Sequence, residues 1–186
     1  MKKIIIIFVF IAKCHILFSQ EENLVVFFVD AITNVVPVYS NDTDNDSITN
    51  IIEYAEKENW HDVEILGQSN NRYKVHITSS TNENVESIIG WVDRERCGVW
   101  LHGKYMKKEL FIISLYSKPG QSNPFIRLQS KFFGDFERYT NGKAAPVLDY
   151  KLYNGEYWIK TVIVKDKKEI IGWTKDYCPN VYDSCN

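Results

Sequence analysis

The sequence Ile-Ile-Gly-Trp occurs twice in this chain, each time before a charged stretch and a cysteine. The first copy is IIGWVDRERC (88–97), and the second, 82 residues later, is IIGWTKDYC (170–178). The residues upstream repeat in the same order, because the pairs Tyr39–Ser40 and Tyr116–Ser117 have their tyrosines 52 and 57 residues before the two tryptophans. This repeated order indicates a duplicated structural unit of about sixty residues.

The segments between these landmarks have the composition of short antiparallel strands. VEIL (63–66), RYKVHI (72–77) and YWIKTVI (157–163) are rich in β-branched and aromatic residues. Alternation along RYKVHI places Tyr73, Val75 and Ile77 on one face and Arg72, Lys74 and His76 on the other. Tyr73 and Tyr157 are aligned as equivalents. The Asn154–Gly155 pair tolerates the positive φ of a tight hairpin turn. The sequence therefore predicts an all-β fold of two small strand-built units suited to barrels.

Glycines precede both tryptophans inside predicted strands. Glycine in a strand usually marks a bulge or a close approach of another backbone. We expect Trp91 and Trp173 to follow such points and to seal small cores with their large rings. The alternative is that both rings face outward and stack on a ligand.

With these parts in place, the chain resembles bacterial SH3-like domains. The features that carry the resemblance are a VYS opening, a G-x-x-Y/W-x-V strand and a closing I-x-G-W-V strand. The resemblance covers residues 24–102 and 109–186 and implies two tandem SH3-like barrels of five or six strands with a binding role. HGKYMKKEL (102–110) would be a short polar linker, or a solvated loop between two rigidly packed barrels. The chain departs from the family pattern at 47–60 and 131–145, which leaves the shape of any ligand groove open.

The first nineteen residues have the layout of a secretory signal peptide (1–19). Two lysines precede a short apolar run (4–12), and Ser19 could precede the cleavage point. The run is too short to span a bilayer. An uncleaved anchor is one alternative. A lipid anchor on Cys14 is another, but Lys13 stands where a lipobox requires a small residue. We expect an exported protein, periplasmic or extracellular, without a lipid anchor or a transmembrane span after cleavage.

Removal of the signal peptide leaves an acidic chain. Residues 1–19 carry three lysines and no acid, so 19 Lys and Arg remain against 24 Asp and Glu, a net charge of −5. Nucleic-acid binding requires a basic surface that contacts the phosphates. Because this chain is acidic, we do not expect nucleic acid as a partner. Hydrophobic residues make up 45% of the chain, which is enough to build a core.

Three cysteines remain in the exported chain. Cys178 and Cys185 are close enough in sequence to close a small disulfide loop in an oxidising compartment. Cys97 would then be free or paired elsewhere, and three buried thiols are the alternative. His102 lies near Cys97, but no signature of a Cys–His nucleophile surrounds them. We predict no catalytic residue and no enzymatic activity.

The segment DTDNDSITNIIE (42–53) has the spacing of a calcium-binding loop. Four carboxylates fall at positions one, three, five and twelve: Asp42, Asp44, Asp46 and Glu53. Ser47 stands where the sharp turn of such a loop requires glycine, and the second copy has no acids there. The alternative is a solvated acidic loop. The sequence therefore requires no cofactor and leaves Ca²⁺ as one possible ligand.

Aromatic residues in segments expected to be loops are the candidate ligand-binding residues. They are Tyr39, Tyr54, Trp60, Tyr116, Phe132, Phe133 and Tyr139. Exposed aromatics of this kind bind extended peptides in SH3-like domains, although each ring could instead cap its own barrel.

The expected function is a non-enzymatic binding module of the cell envelope. Its expected partner is a cell-wall peptide or an envelope protein. One alternative is a secreted inhibitor or immunity-type protein that binds a single protein partner. The other is a calcium-binding, adhesin-like protein.

Overall fold

The computed structural model describes residues 23–29, 35–51, 61–79, 87–106, 110–131, 136, 139–140 and 144–178. These residues form an all-β fold with no α-helix, which confirms the predicted class. The strands of the first part of the chain are β1 (Leu24–Phe28), β2 (Val36–Tyr39), β3 (Ser47–Ile51), β4 (His61–Gln68), β5 (Arg72–Ser79), β6 (Ile88–Asp93) and β7 (Cys97–Leu101). The later strands are β8 (Lys104–Met106), β9 (Leu110–Leu115), β10 (Ile126–Ser130), β11 (Ala145–Pro146), β12 (Asp149–Tyr153), β13 (Glu156–Lys165), β14 (Lys168–Thr174) and β15 (Tyr177–Cys178).

Three antiparallel sheets contain these strands. The largest has the order β11-β7-β1-β4-β5-β6-β2-β3, and β15 also pairs with β7. The other two have the orders β10-β9-β8 and β12-β13-β14. Within the described ranges the ladders are open paths and do not close into a barrel.

Strand pairing repeats along the chain as the sequence does. The β2–β3 hairpin corresponds to β9–β10, and the β4–β5–β6 meander corresponds to β12–β13–β14. Tyr39 pairs with Trp91 in the first set, and Tyr116 pairs with Trp173 in the second. We call residues 36–101 the first repeat and residues 110–178 the second repeat.

The register corrects one detail of the sequence alignment. Trp91 lies opposite Lys74, and Trp173 lies opposite Lys160. The equivalent of Tyr73 is therefore Ile159, and the alignment of Tyr73 with Tyr157 is wrong by two residues. The offset arises because β13 has 10 residues and β5 has 8, so the second meander extends further at its Asn-Gly turn.

The two repeats share a hydrophobic core. The larger cluster is built mainly from β1 to β7, but it includes Val147 and Ile159 of the second repeat. The smaller cluster belongs mainly to the second repeat, yet it includes Leu101 of β7. The fully buried Tyr73 donates a hydrogen bond of 2.9 Å from its hydroxyl to the carbonyl oxygen of Val147. Burying apolar surface across this boundary couples the stabilities of the repeats.

The segment predicted to link the repeats contains a paired strand. Lys104–Met106 forms β8 and pairs with β9. The buried Asp176 carboxylate accepts a 2.8 Å hydrogen bond from the backbone N–H of Ser114 and lies 3.6 Å from Lys104 Nζ. Burial raises the pKa of the Asp176 carboxyl, and the Ser114 N–H and the Lys104 cation oppose this shift.

Two local predictions are confirmed. Tyr73, Val75 and Ile77 face the core, each at most 2% exposed. Asn154 and Gly155 adopt positive φ values of 53° and 75° in the β12–β13 turn, as a tight hairpin requires.

The signal-peptide predictions, including those for Cys14, lie outside the described residues. In the part of the chain that is described, no helix is long and apolar enough to cross a membrane.

Candidate ligand-binding site

Each Gly-Trp pair lies where a neighbouring strand crosses close to the meander. A Cβ on Gly90 would fall well inside van der Waals contact with Val38 Cγ1 and 3.0 Å from the Tyr39 carbonyl oxygen. A Cβ on Gly172 would lie 3.0 Å from Leu115 Cβ. Val38 and Leu115 are equivalent core residues with no exposed surface. The predicted close approach is therefore confirmed at both glycines.

The prediction that the tryptophans seal the core is wrong for Trp91, whereas Trp173 is buried. Gly90 and Gly172 face inward, so strand alternation directs Trp91 and Trp173 to the outer face of each meander. Trp91 is half-buried and lies outside both core clusters. Trp173 is 7% exposed and is one of the buried hydrophobic residues, although it lies outside the two clusters. The small inward glycine admits the crossing strand, and this fixes the outward direction of the ring beside it.

Tyr39 and Tyr116 accompany these tryptophans on the outer face. Tyr39 is the last residue of β2 and Tyr116 directly follows β9, so both are held by strand pairing and not by loops. Both are half-buried. The outer face of each repeat thus presents a Tyr–Trp pair at the same place in the fold.

The residue that packs against each tyrosine differs between the repeats. Relative to the tryptophan register, Arg72 of β5 and Trp158 of β13 are equivalent. The Arg72 guanidinium lies 3.5 Å from the centroid of the Tyr39 ring. The Trp158 ring meets the Tyr116 ring edge to face at 5.1 Å. The first repeat therefore has a cation–π contact at the position where the second repeat has an aromatic pair.

Arg72 also ties the β2–β3 loop to the meander. Its Nε donates to Asp93 Oδ1 at 3.0 Å, and its Nη1 donates to the carbonyl oxygens of Asn41 at 3.2 Å and Asp44 at 2.6 Å. The residue is only 9% exposed. Its charge is therefore paired with Asp93, and its Nε and Nη1 donors are used within the fold.

In the second repeat, lysines lie over the tryptophan rings. Lys175 Nζ lies 5.7 Å from the Trp158 centroid and also pairs with Glu156. Lys151 Nζ lies 5.6 Å from the Trp173 centroid, and its side chain is exposed. Within the described part of the chain, Lys151 makes no ion pair.

Tyr153 extends the same outer face. It lies two residues after Lys151 on β12, so both side chains project to one side of the strand. Its ring is 44% exposed and contacts Gly120 of the β9–β10 loop. The 4% exposed Trp158 has an indole N–H without an acceptor among the described residues. We call Tyr116, Tyr153, Lys151, Trp158 and Trp173 the second-repeat aromatic surface.

The other predicted ligand-binding aromatics do not join this surface within the described residues. Tyr139 packs beside the buried Phe136, with ring centroids 6.4 Å apart, against the smaller core cluster. Tyr54, Trp60, Phe132 and Phe133 lie outside the described residues. Arg72, Lys151 and Trp158 were not predicted from the sequence as site residues. Strand alternation was the signal that could have indicated them; for example, it places Arg72 on the face opposite Tyr73.

The acidic loop is organised by its own side chains. Asn41 Oδ1 accepts hydrogen bonds of 2.9 Å from the backbone N–H groups of Thr43 and Asp44. Hydrogen bonds from the Ser40 hydroxyl and from Asn41 lower the pKa of Asp44.

The described part of this loop does not gather its carboxylates into a metal site. Among the residues that the structure describes, no three His, Cys, Asp or Glu side chains come together to hold a metal ion. Asp42, Asp44 and Asp46 are not gathered into such a group, and Glu53 lies outside the described residues, so the calcium site stays a prediction. The described part of the loop fits the alternative of a solvated acidic loop.

The cysteines have different states. Cys97 is a free thiol with no exposed surface. Burial raises its pKa, and the Asp93 charge adds to that effect, so a nucleophilic thiolate is disfavoured. Cys178 is disulfide-bonded. Cys185 lies outside the described residues, so its pairing with Cys178 stays a prediction.

Comparison of the chain with protein-family models, curated proteins and solved structures finds no match. The functional conclusion therefore depends on the geometry of the outer faces.

Proposed function

We propose that this protein is a non-enzymatic binding module of the cell envelope, built from two SH3-like units and exported by its signal peptide. Its ligand is an extended cell-wall peptide. The observation that carries the proposal is the Tyr–Trp pair, which occurs at the same position on the outer face of both repeats.

Three properties of this pair suit peptide recognition. Tyrosine and tryptophan provide large contact areas with little loss of conformational entropy. Both tyrosines remain partly exposed while strand pairing fixes their backbones. The loop after Tyr39 accepts hydrogen bonds from Arg72 of β5, and the loop after Tyr116 approaches Tyr153 of β12 at Gly120. Such a boundary between loop and sheet is a common place for an extended chain to bind.

Cosedimentation with purified cell-wall sacculi tests this function. The exported protein is expected to pellet with sacculi in a saturable manner. Tyr116→Ala should weaken the binding about tenfold, as expected for an aromatic residue at the centre of an interface. Tyr105→Ala is the matched control, because Tyr105 is 63% exposed on β8 and lies outside both Tyr–Trp pairs. Circular dichroism would verify that both variants are folded.

Failure of the wild-type protein to pellet would refute the cell-wall assignment. Crosslinking of the same protein in envelope extracts then distinguishes the remaining candidates. A single stoichiometric protein partner would support an inhibitor or immunity-type role.

A further inference from the structure

The two repeats present the same backbone but different chemistry at the Tyr–Trp pair. In the first repeat, the Arg72 guanidinium covers the Tyr39 ring at 3.5 Å. Its hydrogen bonds to Asp93 and to the β2–β3 loop hold it there. A ligand would have to displace this neutralised cation and leave its donors unpaired, which is costly for a buried charged group.

In the described part of the second repeat, no cation covers the equivalent ring, that of Tyr116. Trp158 stands where Arg72 stands in the first repeat, and its uncharged ring meets the Tyr116 ring edge to face. The accessible part of the second-repeat aromatic surface is formed by Tyr116, Tyr153 and Lys151, with the two tryptophan rings as its floor. Trp158 belongs to this surface, and its indole N–H has no acceptor among the described residues; a buried donor without a partner calls for an acceptor.

Net charge differs in the same direction between the two parts of the chain that contain the repeats. Residues 24–102 carry 5 Lys and Arg against 13 Asp and Glu, whereas residues 103–186 carry 14 against 9. The first part therefore has a net charge of −8 and the second +5. A negatively charged ligand is repelled by the first part and attracted by the second.

We infer that the second repeat alone binds the peptide, through the second-repeat aromatic surface, and that it selects peptides bearing a carboxylate. Lys151 is the residue that reads this carboxylate, because its ammonium group is exposed and makes no ion pair in the described part of the chain. In the first repeat, Arg72 covers the tyrosine of the Tyr–Trp pair, and this repeat serves as a structural support. This inference rests on the proposed function and names its site and ligand chemistry.

Calorimetric titration with defined probes tests the inference. The probes are soluble peptide-bearing fragments released from sacculi by a muramidase, and the same fragments with their carboxylates converted to amides. Wild-type protein should bind the untreated fragments, and amidation should weaken binding at least about tenfold. Lys151→Ala should weaken it about fivefold, or about 1 kcal/mol. Its dependence on salt should also be shallower than that of the wild type.

Matched variants locate the site. Lys74→Ala removes a lysine that faces Trp91 in the first repeat, and it should change affinity less than about twofold. Trp158→Arg combined with Lys175→Asp copies the Arg72–Asp93 pair into the second repeat and should abolish binding. If that double variant fails to fold, Lys151→Ala still tests the site. Lys151 is exposed on an edge strand, so this substitution should leave the protein folded.

The outcomes distinguish this inference from the function on which it rests. Sedimentation with sacculi but equal effects of Lys151→Ala and Lys74→Ala would overturn the inference and leave the function standing. Equal binding of amidated fragments would overturn the carboxylate selection. No sedimentation of the wild-type protein would overturn both.

Discussion

Substitution of Gly90 by alanine should destabilise the protein through one identifiable contact. The new Cβ would overlap Val38 Cγ1 and lie 3.0 Å from the Tyr39 carbonyl oxygen. Val38 has no exposed surface and is β-branched, so it has little freedom to move aside. Inserting a methyl group into such a site costs about 1–3 kcal/mol. The loss of unfolded-state entropy returns about 0.4–1 kcal/mol, which leaves a net loss of about 1–2 kcal/mol.

Val38→Ala tests whether the overlap with Val38 causes the loss of stability in Gly90→Ala. Alone it should cost about 2 kcal/mol, because it removes two buried methyl groups. In the double variant, the methyl group introduced at position 90 occupies space that the Val38 side chain has vacated. The double variant should therefore lose less stability than the sum of the two single losses, by about 1 kcal/mol or more.

Urea unfolding followed by tryptophan fluorescence measures these differences. For a slope of about 2 kcal/mol/M, Gly90→Ala should lower the midpoint by about 0.5–1 M. Gly67→Ala is the control in the same sheet, because its Cβ would meet nothing nearer than Lys74 Cβ at 3.9 Å. A Gly90→Ala protein as stable as wild type, or strictly additive effects with Val38→Ala, would refute the close-approach explanation.

Buried groups give three further testable expectations. The Cys97 thiol should resist iodoacetamide in the native protein and react in urea, since burial raises its pKa and excludes reagent; native alkylation at the unfolded rate would contradict this. Because the folded-state pKa of Asp176 is raised, the wild type should gain stability relative to Asp176→Asn as pH falls from about 7 to about 4. Urea unfolding at both pH values measures this gain, and a constant difference would count against it. Tyr73→Phe should lower stability by about 1–2 kcal/mol, because the Val147 carbonyl loses its 2.9 Å partner. Its unfolding should remain a single transition because the shared core still couples the repeats, whereas two separated transitions would mean that this hydrogen bond and not the shared core couples them.

The candidate site was only partly accessible from the sequence. Tyr39 and Tyr116 were selected as aromatic residues near a repeated motif, and both lie beside a tryptophan on the outer face. The partners that distinguish the two surfaces, Arg72 and Trp158, were not selected. Their equivalence depends on strand register, and the longer β13 shifts that register by two residues relative to the sequence alignment.

Features that depend on local order along the chain could be predicted without the structure. Alternation of apolar residues specified strands, Asn154–Gly155 specified a hairpin, and the repeated Gly-Trp specified two equivalent crossing points. Such signals act between residues near in sequence, where backbone sterics and side-chain direction decide the outcome.

The way in which the repeats combine emerged only from long-range packing. β7 of the first repeat pairs with β11 and β15 of the second, and Val147 and Ile159 complete the larger core cluster. These contacts form because open strand edges and apolar faces are buried wherever a complementary surface is in reach, which the local pattern does not encode. The direction of Trp91 and Trp173 was decided in the same way, since the strand that crosses each glycine leaves no room for a ring on the inner face.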